Sequence, residues 1–408
     1  MRNALSPIAY WFVGTVALSA TTTTQAWVIP RSSSSTASLS KRLFSTDSKT
    51  SEEEVPSGVE EEELDFSTDY HAPVMLKECI EALLSSSEQG DNDELNEPRY
   101  FVDGTLGGGG HSEALLRQCR PGDIVFGCDV DSDAIATASE RLQAFMTADT
   151  QQPLFVPVRS NFCQLATVLP KVLHPVTQMP ILKEVQSIHG ILLDLGVSSF
   201  QIDTPERGFA FMKDGPLDMR MSTDLSLNAA DVCNEFDARE IQRILRLYGD
   251  EPRAKALAAS IVKHRPLHTT ADLVEAIAQV VPQYAKKGRR QGRTATTARV
   301  FQALRIVVNQ EDAVLEQALT NMAPALLRPG GRLVVLSYHS LEDRMTKRVI
   351  RDGTIHKAQV SDERDMYGNF IGTPRPFRSA GKARKATDEE VSTNSRARSA
   401  TLRVGIRE

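Results

Sequence analysis

Cysteine is scarce in this sequence, and its placement speaks against the usual uses of thiols. The five cysteines, Cys79, Cys119, Cys128, Cys163 and Cys233, are odd in number and scattered, with no C-x-x-C pair. Neither a disulfide framework nor a zinc site is indicated, and a reducing compartment is implied, with the thiols as small core residues. No other spacing of ligating residues suggests a metal, so none is expected. Long apolar runs are missing too, since Ile8–Ala20 is too short to cross a bilayer. An overall basic excess is absent: 53 acidic residues against 47 basic ones leave a net charge of −6. That total understates the basic surface, because residues 1–66 hold nine of the acids and only five of the bases. Basic clusters stand at Lys286–Arg293 and Arg375–Lys385, and for a nucleic-acid partner a local patch matters more than the sum.

Acidic residues are also missing up to Thr46, in a stretch rich in Ser and Thr. Arg2 precedes Ile8–Ala20, which suits a signal-peptide core, and Thr24-Gln25-Ala26 offers a cleavage point ahead of Trp27. A basic, Ser/Thr-rich stretch, Arg31–Arg42, follows in the manner of a transit peptide. A signal followed by a transit peptide resembles the bipartite leader of secondary plastids in algae. The expected address is therefore a plastid, with no membrane contact after processing. The alternative is a mitochondrial presequence processed near Arg42-Leu-Phe-Ser45. Residues 47–66 look like an acidic disordered linker, so 1–68 stands outside the fold.

The remainder alternates strand-like apolar runs with helical patterns, which predicts an α/β sheet with crossovers. The runs are Tyr100–Val102, Ile124–Cys128, Leu154–Val158, Ile188–Leu193, Arg332–Tyr338 and Ala400–Ile406. The fourth and fifth are separated by far more chain than a crossover needs. Amphipathic stretches at Ala238–Tyr248, Arg253–His264, Thr270–Val281 and Thr296–Val308 fill that gap. A helical insertion over about 202–300 is the simplest account, flanked by one α/β domain over 69–201 and 301–408. Gly353–Thr393, rich in Gly, Pro and charge, reads as a mobile loop. No internal repeat is present.

The most informative stretch is Tyr100-Phe-Val-Asp-Gly-Thr-Leu-Gly-Gly-Gly-Gly-His-Ser112. A short strand ends in Asp103, and glycines 107–110 then lead into a helical pattern at Glu113–Gln118. Glycine there permits sharp turns and close approach of a ligand to main-chain N–H groups. The second strand ends in Asp129, at about the spacing where an acidic residue receives ribose hydroxyls. A structural turn alone would not require both carboxylates. The spacing departs from G-x-G-x-x-G, there is no Tyr-x-x-x-Lys, and Asp103 would repel a pyrophosphate. These features weigh against a nicotinamide-dependent oxidoreductase. S-adenosylmethionine fits, its ribose at Asp129 and its charged tail near Asp103 and Gly107–His111.

The fourth strand ends in Asp194, in Asp194-Leu-Gly-Val-Ser-Ser199. A carboxylate there would accept hydrogen bonds from an amine or abstract its proton; it would equally fix the loop by capping N–H groups. In Gly208–Met221, Phe209 and Phe211 are interleaved with Lys213, Asp214, Asp218 and Arg220, a mixture suited to a base and a phosphate. Arg299 and Arg305, at helical spacing after the basic cluster, suit a phosphate-binding edge. His339, after the fifth strand, is a candidate for the substrate pocket, although a lone His there is more often structural. The same caution applies to His71 and His111.

Together these segments resemble the MraW/RsmH family of S-adenosylmethionine-dependent methyltransferases. The resemblance spans His71 to Ile406. It rests on His71-Ala-Pro-Val-Met75, the Asp103–Ser112 loop, Asp194–Ser199, Gly208–Met221, Phe301-Gln-Ala-Leu-Arg-Ile306, Ser337–Arg344 and Asn394–Ala400. It implies a Rossmann-like class I methyltransferase domain with an inserted helical domain that helps hold RNA. The implied reaction is methylation of cytidine N4 in small-subunit ribosomal RNA. The cofactor contacts it implies are Gly109, Gly110, His111, Asp129, Phe162, Asp194 and Gln201, with Phe162 packed against adenine. The chain departs from the family pattern at Arg293–Arg299, where a His-Pro-Ala-Thr-Arg-like run is usual, at Ser395, where Pro is common, and at Tyr338, where Phe is usual. A ribosome-assembly factor with a residual cofactor pocket is the competing function, and a homodimer is left open as an assembly.

Overall fold

The computed structural model describes residues 73–85, 97–147, 151–281, 292–356, 360–369 and 371–408. The leader and linker, His71 and most of Lys286–Arg293 lie outside the described residues. Helix α1 (Leu76–Leu84) precedes strand β1 (Tyr100–Asp103), helix α2 (Gly110–Leu116), strand β2 (Ile124–Asp129), helix α3 (Ser132–Arg141), strand β3 (Leu154–Arg159), the short helix α4 (Leu165–Val168) and strand β4 (Ile188–Asp194). Among the described residues eight α-helices then intervene: α5 (Ser199–Asp203), α6 (Ala229–Glu235), α7 (Ala238–Leu247), α8 (Ala254–Lys263), α9 (Thr270–Ala278), α10 (Arg293–Asn309), α11 (Glu311–Gln317) and α12 (Ala323–Leu326). Strand β5 (Leu327–Ser337), helix α13 (Ser340–Asp352), strands β6 (Phe377–Ser379) and β7 (Arg384–Lys385), helix α14 (Asp388–Thr393) and strand β8 (Thr401–Arg407) complete the chain.

The sheet runs β3-β2-β1-β4-β5-β8-β6, with β7 also on β8. The first five are parallel, and β8 is antiparallel to β5 and β6. The apolar runs form buried strands because both sheet faces are covered. Alternation divides their side chains: Val102, Phe126, Leu193 and Val335 enter one core, while Phe101, Val125, Leu192 and Val334 enter the other. The Gly353–Thr393 stretch differs from the loop expected of it. Within it, β6 and β7 pair with β8, because an edge strand offers unpaired N–H and C=O groups.

The helices between β4 and β5 are specified locally. Asn228, Asp237 and Thr269 each form a capping box with the acid three residues on, Asp231, Glu240 and Asp272. Their apolar faces bury Val232, Ile241, Ile244, Leu257, Ile261, Leu273 and Ile277. Helix α10 runs unbroken across position 300, burying Val300, Phe301, Leu304 and Ile306, so one rigid element joins the helical region to the sheet.

Candidate functional site

Strand order reverses between β1, which leads to β2, and β4, which leads away toward β5. In open α/β sheets ligands bind beyond the strand carboxyl ends at such a point. Here the tips of β1, β2 and β4 are Asp103, Asp129 and Asp194. A cavity of 690 Å³ opens beside them, lined by the glycine loop, Asp129, Phe162, Asp194, Gln201 and parts of α10, α11 and α13. That volume accommodates a nucleoside cofactor together with a substrate base.

The glycine loop is shaped by its conformation. Gly107 has φ +49, in the left-handed region, and donates its N–H to Asp129 Oδ2 at 2.9 Å. Asp129 Oδ1 accepts from the Asp131 N–H at 3.0 Å. Each carboxylate oxygen keeps a second acceptor direction for a diol. Desolvation pushes the Asp129 carboxyl up to about 6, against the two N–H donors. Phe162 adds an aromatic surface. Gln201 is buried, donates to Asp131 Oδ2 at 2.9 Å and closes the capping box of α5 with Ser198. Two diol acceptors and an aromatic surface in one cavity suit the ribose and adenine of S-adenosylmethionine. Gly107, Gly110 and His111 line the cavity as well, whereas Gly109 caps α2 behind it.

Asp103 corrects its sequence reading. It does not line the cavity. It is buried beneath the loop, with Oδ2 accepting from Ser112 Oγ at 2.7 Å and Oδ1 from Thr105 N at 3.2 Å. Burial raises its carboxyl above the ordinary range, against His111, Ser112 and Thr105. It therefore shapes the loop from beneath.

Asp194 does face the cavity, held on three sides. Its N–H donates to Thr105 Oγ1 at 2.7 Å, its Oδ1 accepts from Tyr338 Oη at 2.7 Å, and its Oδ2 lies 3.7 Å from His111 Nδ1. Burial raises its carboxyl; His111 and the Tyr338 donor draw it down, while Asp103 and Glu342 push it up. His111 Nε2 lies 3.1 Å from the Val74 carbonyl oxygen.

The far wall carries a network invisible to motif reading. Arg305 clamps Glu311 through Nε at 2.7 Å and Nη2 at 2.8 Å. His339 Nε2 lies 2.9 Å from Glu342 Oε1, and Glu342 Oε2 accepts from Tyr338 N at 2.8 Å. Burial opposes ionisation of Glu342, but His339 and Arg305 outweigh it and hold its carboxyl below the ordinary range. Atoms of Glu311, His339 and Glu342 fall within 4.8 Å of one another. Their carboxylates already serve Arg305 and backbone donors, so the group is an ion-pair network. Phe211 packs edge-on against Phe301, ring centroids 5.4 Å apart, and both line the cavity with Phe209.

Other substrate candidates are engaged elsewhere. Arg220 forms a bidentate pair with Asp218, both contacts at 2.8 Å, and donates to the Leu225 carbonyl. Asp214 accepts from the Ala271 N–H at the start of α9. These bonds account for most of the charges in the Gly208–Met221 loop and leave Lys213 exposed, outside the cavity lining. Gly208 is required at the base of that loop: at φ +71, a Cβ would sit 2.2 Å from the Pro216 carbonyl oxygen. Arg299 also lies off the cavity, paired through Nε at 2.9 Å with Glu251, whose side chain is 0% exposed. Truncating Arg299 strands that carboxylate, so Arg299→Ala should lose about 3 kcal/mol in urea unfolding. Arg299→Met with Glu251→Leu should recover most of it. An unchanged midpoint for the single variant would show the pair to be dispensable.

A sheet with antiparallel β8 inserted beside β5, and an acid-tipped cavity at its reversal point, defines a class I methyltransferase. Residues 68–407 match the MraW methylase family, and the chain belongs to it. The chain is 39% identical over 342 residues to the ribosomal RNA small subunit methyltransferase H of Cytophaga hutchinsonii, covering 83% of this chain and 100% of that protein. To the protein of the same name from Pelodictyon phaeoclathratiforme it is 38% identical over 346 residues, covering 82% and 94%. To that of Dehalococcoides mccartyi it is 39% identical over 339 residues, covering 83% and 86%. The protein is thus an S-adenosylmethionine-dependent methyltransferase.

Proposed function

We propose that this protein methylates N4 of a cytidine in small-subunit ribosomal RNA of an organelle. The observation that carries the reading is the Asp194 carboxylate, fixed at the tip of β4 in the cavity that also holds the glycine loop and Asp129. The small-subunit RNA comes from the names of the relatives. The helical region over 202–300 would help hold that RNA, and Phe209 and Phe211 offer flat surfaces to bases at the cavity wall. The organelle rests on the leader, a plastid being favoured over a mitochondrion.

Cytosine N4 is a poor nucleophile because its lone pair is delocalised into the ring. Bound S-adenosylmethionine supplies an electrophilic methyl whose S–C bonding electrons stay on sulfur as the N–C bond forms. Asp129, Phe162 and the loop about Gly107 would hold that cofactor. Asp194 would accept a hydrogen bond from the N4 amine, localising electron density on nitrogen and fixing its approach. The test is incubation of the protein with labelled cofactor and small subunits lacking the modification, resolving nucleosides by mass spectrometry. N4-methylcytidine at one position is expected. Cofactor binding without labelled RNA would instead favour an assembly factor. A fluorescent protein fused behind residues 1–68 is expected in plastids, and mitochondrial signal would overturn that address.

A further inference from the structure

His111 has no part in the reading above beyond its place in the cofactor loop, yet its ring is held in one orientation. A carbonyl oxygen only accepts, so the Val74 contact requires the hydrogen of the neutral ring on Nε2. In that neutral tautomer Nδ1 is the free acceptor of the ring, turned toward Asp194 Oδ2 at 3.7 Å, so a proton held by the pair would lie between these two atoms. The other Asp194 oxygen is occupied by the Tyr338 hydroxyl. Burial, with Asp194 next to it, pushes the Tyr338 phenol far above its ordinary range, so it remains a donor throughout the working pH range. Tyr338 engages Oδ1, and Oδ2 is the oxygen turned toward His111.

We infer that His111, Asp194 and Tyr338 form a proton-accepting unit for methyl transfer, in which Tyr338 positions Asp194 and the His111–Asp194 pair retains the proton released by the amine. This rests on the reading of the substrate as an exocyclic amine. The atoms balance: nitrogen gains the methyl, its surplus proton passes to Asp194 Oδ2, and His111 Nδ1 shares it until solvent removes it. Asp103, Glu342, Cys79, Tyr338 and His111 are the titratable groups that face Asp194, and Asp103 and Asp194 those that face His111. Asp103 and Glu342 disfavour ionised Asp194, which gives the Tyr338 hydrogen bond its task.

The experiment is the pH dependence of single-turnover methylation of small subunits by wild type, Tyr338→Phe and His111→Gln, with cofactor affinity measured in parallel. Tyr338→Phe keeps the ring and loses one donor to a carboxylate, so the acidic limb of its profile should move up by about one pH unit. His111→Gln places an amide N–H near the former Nε2–H and removes the proton store. Its plateau rate, read at saturating cofactor, should fall about tenfold to a hundredfold. Superimposable profiles for wild type and Tyr338→Phe, or a full plateau rate for His111→Gln, would overturn the inference. Failure of the wild-type protein to form N4-methylcytidine would instead remove the substrate reading beneath it.

Discussion

Asp194→Asn should bind S-adenosylmethionine within a few-fold of wild type and transfer methyl groups roughly a hundredfold to ten-thousandfold more slowly. The substitution is nearly isosteric, and the surroundings tolerate it. The amide oxygen still accepts from Tyr338 Oη, and the amide N–H turns toward His111 Nδ1. The Thr105 bond to the backbone N–H is untouched. What disappears is the anionic acceptor toward the substrate amine, and with it the site for the departing proton. Rapid-quench single turnover with saturating cofactor isolates that step. A wild-type rate would confine Asp194 to the cofactor pocket and leave positioning as the main source of rate.

The strands and their acidic tips were legible because a parallel sheet buried on both faces demands short apolar runs, and each of the first, second and fourth runs stops at an aspartate. The role of Asp103 was not legible. Its position matches that of a ligand-facing carboxylate, and only the fold shows it buried off the cavity lining, with Ser112 and Thr105 donating to it. The arginines mislead for a related reason. Arg220 stands two residues from Asp218, a spacing that could have signalled an internal pair, whereas Arg299 meets Glu251 across 48 positions. Tyr338 was visible only as a departure from the family pattern; its bond to Asp194 spans 144 positions. The edge strands β6 and β7 were hidden because Gly, Pro and charge mask pairing that β8 alone dictates.

Asp129→Asn should weaken cofactor binding by about tenfold to a hundredfold, the scale of a lost charge-assisted hydrogen bond. The amide oxygen can keep the Gly107 N–H, but the other oxygen becomes a donor that loses the Asp131 N–H and repels a ribose hydroxyl's proton. The pH dependence separates this from general damage. In the free protein desolvation raises the Asp129 carboxyl from its ordinary value of 3.8 to about 6. The folded state thus holds this proton more tightly than the unfolded chain. Its contribution to stability is therefore greatest at low pH and is lost as pH rises through about 6. Ribose hydroxyls donate to the ionised form, so binding draws the carboxyl back down. Affinity should then rise with pH through about 6 and level off above it, and binding between the two values should release a proton. Calorimetry at pH 5.5, in two buffers of different ionisation enthalpy, reads that proton directly. Wild type should show a larger release than Asp129→Asn, and equal release by the two proteins would place the ribose elsewhere in the cavity.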